Sequence, residues 1–247
     1  MTKEIISKPA NLVPRIGQER LNDLNKTPSI KAALQGAALT VVTLFGGLLL
    51  GLALGVIVFH NLPGHSLENP SPAHTAIAAF PALIGFLAGG AAWGVSLIRI
   101  KPAPDMRRMA LAGLLGFGPI TITLAVGLGI LETLAGSSLL SQIPIHRLFT
   151  LLFVPATFLI AGISSWAIGR GYKNTALAWR LFWQVGLAAA ATFLAVNLTM
   201  EAFGLVVGAP GAAQRATMVT VLISGNVSAA LVSGGVLGLI LAGKNYG

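Results

Sequence analysis

Six long apolar runs constrain this chain more than anything else in it. They lie at about 33–60, 76–98, 109–131, 148–168, 179–200 and 216–242, and their cores hold no Asp, Glu, Lys or Arg apart from Arg180 at the edge of the fifth. A helix needs roughly 20 apolar residues to cross the hydrocarbon of a bilayer. Only helices and closed barrels satisfy every backbone group there. Barrel strands alternate with a period of two, and these runs do not. The expectation is an all-α integral membrane protein with six transmembrane helices. Composition agrees: 55% of residues are hydrophobic and 9% are charged, against about 25% charged in soluble domains.

Residues 1–31 form a polar, basic N-terminal tail, and 32–247 a six-helix transmembrane domain. The tail does not read as a cleavable signal peptide, whose apolar region stands near its start. Ile16, Leu21 and Leu24 could line a short surface helix within it. Thr27-Pro28-Ser29 reads as a helix start, with a hydroxyl cap followed by proline at the first helical position.

The net charge of +9 could suggest nucleic acid, but its distribution follows membrane sidedness instead. The tail, the turns 99–108 and 169–180, and the C-terminus carry 14 of the 16 Lys and Arg residues; the three opposite loops carry only Arg147 and Arg215. Positive loops stay on the cytoplasmic side. Both termini are therefore expected on the cytoplasmic, positive side of a bacterial cytoplasmic membrane or an organellar inner membrane. No nucleic-acid partner is expected; the bilayer and other membrane subunits are.

An internal repeat orders the runs. Leu52–His74 and Leu124–His146 align without a gap at an offset of 72, with nine of 23 positions identical, including Gly55/Gly127, Pro72/Pro144 and His74/His146. A fainter third copy carries Leu194-Ala195-Val196 and Glu201, and Arg215 echoes Arg147. Three tandem helical hairpins of about 70 residues follow, at 32–99, 108–169 and 178–243, related by a pseudo-threefold axis along the membrane normal. Small residues at a spacing of four mark packing faces: Gly47, Gly51 and Gly55; Gly85 and Gly89; Gly234 and Gly238. In lipid such faces associate through close backbone contact. Pro81, Pro119 and Pro155 interrupt helices 2, 3 and 4.

The candidate sites are few. The repeat sets His60 where Glu132 and Glu201 stand, so these three, with Arg147 and Arg215, are candidates for a vestibule at the outer end. Within the hairpins, Glu132 is expected to pair with Arg147 and Glu201 with Arg215. Asn197 and Asn226 are candidates for a polar path. His74 and His146 are candidate axial ligands of a haem or a chlorophyll-type pigment, since imidazole is a common metal ligand; otherwise no cofactor and no metal site is expected. Trp93, Trp166, Trp179, Trp183 and Tyr172 read as an interfacial aromatic belt. There is no cysteine, hence no disulfide or thiolate chemistry, and no phosphate loop, metal triad or nucleophile elbow. The chain does not read as an enzyme.

Three functions fit. The first is a non-catalytic subunit that packs in and stabilises a larger membrane complex, such as an electron-transport or photosynthetic one. The second is a small transporter or channel for a neutral or weakly charged solute along the pseudo-threefold axis. The third is a haem- or pigment-binding membrane protein using the outer-side histidines.

Overall fold

A computed structural model describes residues 30–61, 72–103, 105–117, 145–203 and 212–243, and these are helical apart from short connections. The helices are α1 (Ile30–His60), α2 (Pro72–Ser96), α3 (106–117), α4 (Ile145–Gly171), α5 (Thr175–Ala202) and α6 (Ala212–Ala242), with a 3-10 turn, Leu97–Arg99, after α2. Four helical segments are long and apolar enough to cross a membrane: Ile30–Val58, Thr150–Gly171, Thr175–Ala202 and Ile223–Ala242. Leu83–Arg99 is a shorter apolar segment. Pro81 and Pro155 lie inside α2 and α4. Pro119 and the helix-start signal at Thr27-Pro28-Ser29 lie outside the described residues.

Two helix starts lie further upstream than the apolar runs imply, because polar residues cap them. Asp105 Oδ1 accepts the amide N–H of Arg107 at 2.9 Å and stands before α3. Asn174 Oδ1 accepts the amide of Leu177 at 2.8 Å and opens α5. Such caps fill donors that the first turn leaves unpaired and contribute about 1 kcal/mol each. Between α4 and α5 the chain reverses through Tyr172-Lys173-Asn174. The Asn174 amide returns to Gly169 O and the Lys173 amide to Arg170 O, which is the pairing of a Schellman motif. Lys173 takes the left-handed conformation, φ 59°, that this motif requires.

The helices form a closed ring in chain order. α1 packs on α2, α4 on α5, α5 on α6, and α6 returns to α1. α3 fits between α2 and α4: Gly113 lies against Gly90 O, and Gly116 against Ser164 of α4. Several of these seams are built on glycine. A methyl at Gly47 would stand 2.6 Å from Gly85 O and 2.8 Å from Gly89 Cα, and one at Gly234 would stand 2.7 Å from Gly36 O. Helix backbones touch where a Cβ would keep them apart, and this contact holds a bundle in lipid.

Among the described residues, packing is densest at the end of the ring that carries the 99–108 and 170–174 turns, called here the basic end. Leu97, Met109, Ile168, Leu177, Leu181 and Leu237 are 0–1% exposed there and form one cluster with Trp93 and Phe117. Tyr172 ties the two turns together. Its hydroxyl donates to Lys101 O at 2.8 Å and lies 3.3 Å from Leu97 O. Burial pushes this phenol's pKa up, holding it neutral.

Candidate functional site

Inside the ring, above this apolar plug, lies a cavity of about 250 Å3. All six helices line it. α1 supplies Thr40, Leu44, Phe45 and Leu48; α2 supplies Phe86 and Trp93; α3 supplies Phe117. α4 supplies Thr157, Ile160, Ala161, Ser164 and Ser165, α5 supplies Val185 and Ala189, and α6 runs along it from Ile223 to Leu237. Helical periodicity explains how α4 does this. Thr157, Ala161, Ser164 and Ser165 follow spacings of three and four, which place side chains on one face.

The wall is aromatic and aliphatic with a few uncharged polar groups: Thr40, Thr157, Ser164, Ser165, Asn226 and Ser233. Trp93 Nε1 donates to Thr40 Oγ1 at 3.0 Å, joining α2 to α1 across the seam. The Trp93 ring tilts against Phe117 at a centroid distance of 5.4 Å. Ser164 Oγ donates to Gly116 O at 2.6 Å, joining α4 to α3. Among the described lining residues there is no Asp, Glu, Lys, Arg or His. An ion would lose its hydration here and find no counter-charge among the described lining residues, a heavy cost. A neutral solute meets apolar walls that cost it little and hydroxyls that can orient it. The volume exceeds the ~150 Å3 that suffices for benzene in an apolar protein cavity. Toward the basic end, the buried cluster closes the ring.

The sequence-derived candidates are spread across the molecule. Asn226 lines the cavity. Asn197 is buried beside it, its amide donating to Phe193 O at 2.7 Å; a methyl at Gly225 of α6 would lie 3.5 Å from its Nδ2. His60 is the exposed last residue of α1. Glu132 lies outside the described residues, as do the side chains of His74, His146 and Arg215, so neither the pigment-ligand pair nor the full vestibule set is described. Gly55 is buried on α1, Gly51 meets Gly85, and Gly238 packs on Ala32 and Gly36 of α1.

The expected Glu132–Arg147 and Glu201–Arg215 pairs each include a side chain that lies outside the described residues. Arg147 also reaches across to α5, where Nε and Nη2 donate to Glu201 Oε1 at 3.0 and 2.7 Å. Packing of α4 on α5 brings the two side chains together, although they lie 54 positions apart. The pair stands on an outer flank, beside the exposed Leu151 and Leu198. Trp93 leaves the aromatic belt: it is 3% exposed and serves the cavity wall, whereas Trp179 and Trp183 are 53% and 54% exposed and suit an interfacial role.

The residues that sequence reasoning missed are Thr157, Ser164, Ser165 and Ser233. The signal for the first three is hydroxyls at helical spacing in α4, whereas Ser233 stands on α6 directly before Gly234. Comparison with protein-family models, with curated proteins and with solved structures finds no match for this chain.

Proposed function

We propose that the protein is a non-catalytic, multi-pass membrane protein that takes up a small, uncharged, largely apolar solute within its helical ring and passes it along the ring axis. The observation that carries this reading is one cavity lined by all six helices and free of described charged side chains. The buried plug on the basic side favours a carrier that opens alternately over a permanently open channel. A pseudo-threefold arrangement of three hairpins suits a site on the axis. Gly90, Gly162 and Gly234 support it: they recur every 72 residues, and each lies where an even helix meets the following odd one, against Gly113, Phe182 and Gly36. The charge distribution supports placing both termini on the cytoplasmic side of a bacterial or organellar inner membrane.

A subunit role would draw on glycine faces left open to an external partner. In the structure Gly47, Gly85 and Gly89 meet one another, and Gly234 meets Gly36, so these faces are occupied within the chain.

The test uses Trp93 as a reporter in a variant with Trp166, Trp179 and Trp183 changed to Phe. Short brominated alcohols, titrated into the purified protein, should quench Trp93 fluorescence saturably. Ala161→Phe, which fills the cavity, should abolish saturation and also slow uncharged-solute flux in proteoliposomes. Linear, non-saturating quenching with unchanged flux in Ala161→Phe sinks the reading.

A further inference from the structure

We propose that the groove between α4 and α5 is a binding site for a zwitterionic phospholipid, with the Arg147–Glu201 pair receiving the headgroup and the apolar floor below receiving an acyl chain. The proposal rests on membrane embedding but not on the central cavity. The groove has a volume of about 650 Å3, and its described lining is Arg147, Thr150, Leu151, Val154, Pro155, Leu194, Leu198 and Glu201. Polar groups and floor are separated along the helix axes. Arg147 is the third residue of α4 and Glu201 the last but one of α5, so the ion pair stands at the helix ends. From Arg147 to Pro155 the floor descends about 12 Å at a rise of 1.5 Å per residue. That is most of the ~15 Å hydrocarbon depth of one leaflet.

The charge pattern selects the headgroup. The Arg147 side chain is 65% exposed and that of Glu201 33%, so both remain accessible while paired. Guanidinium matches the planar array of phosphate oxygens. The neighbouring carboxylate already neutralises much of that positive charge, so a lipid of net negative charge gains little here. A headgroup with a phosphate and an ammonium meets a partner for each charge. The floor residues Leu151, Leu194 and Leu198 are 74%, 37% and 53% exposed.

The experiment titrates the full-length protein, purified in mild detergent, with phosphatidylethanolamine or phosphatidylglycerol and counts retained lipid by native mass spectrometry. The wild type should retain phosphatidylethanolamine in preference. Arg147→Gln should weaken retention by roughly tenfold, as expected for loss of a charge-assisted contact. Leu198→Trp, which fills the groove and leaves the ion pair intact, should do the same. Glu201→Gln should shift preference toward phosphatidylglycerol. Leu187→Trp, at an exposed α5 position outside the groove, should change nothing and controls for folding. Unchanged retention in both Arg147→Gln and Leu198→Trp, or equal retention of the two lipids by the wild type, overturns the proposal. Saturable Trp93 quenching is a separate readout, so this site and the cavity can fail independently.

Discussion

Tyr172 and Lys173 show how single residues set the geometry of the basic end. The Tyr172 phenol is buried between two turns and hydrogen-bonded to a backbone carbonyl. Its pKa is raised in the folded state, so folding favours the protonated form. That stability is fully present below about pH 10, where a free tyrosine ionises, and is lost as pH rises further, because the unfolded chain ionises first. Tyr172→Phe should cost about 1 kcal/mol at neutral pH and remove the alkaline slope. Unfolding of both proteins in detergent between pH 8 and 11.5 measures this; parallel curves would contradict it. Lys173 pays a steric cost for φ 59° in a place that suits glycine. Lys173→Gly should therefore raise stability by about 0.5–1 kcal/mol, read as a higher melting temperature.

At the scale of the element, adjacent glycines of α1 have opposite roles. A methyl at Gly46 meets nothing within 4 Å, while one at Gly47 meets Gly85 O and Gly89 Cα. Alanine is the better helix former by up to about 1 kcal/mol. Gly46→Ala should hold or raise the melting temperature. Gly47→Ala should lower stability by about 1–3 kcal/mol, because the backbone atoms it strikes cannot rotate away. Equal responses at the two positions would refute glycine packing as the basis of the α1–α2 seam. Sequence spacing marked these faces, yet it could not pair them: a spacing of four identifies a stripe on one helix and says nothing about which helix lies opposite.

For the whole molecule, the decisive feature is closure of the ring by α6 on α1. It brings Ala33 and Gly235, from opposite ends of the chain, together; a Cβ at Gly235 would lie 3.6 Å from Ala33 O. The chain has no cysteine, so Ala33→Cys with Gly235→Cys offers a clean test. A short bifunctional maleimide should join the two thiols and give a faster-migrating band on denaturing gels. Failure to cross-link would contradict the closed ring.

The sequence alone determined the helical class and the run positions, because burial of an apolar helix in lipid is a property of local composition and length. It also located the glycine faces and the asymmetric charge, both readable residue by residue. Tertiary structure decided the rest. Arg147 meets Glu201, Trp93 turns inward onto Thr40, and hydroxyls from α1, α4 and α6 converge on one cavity. Each of these depends on which helix stands beside which and at what rotation. In a chain whose helices are apolar on nearly every face, hydrophobic pattern does not specify that rotation. Close backbone contact at the glycines sets it, and that contact exists only once the helices are packed.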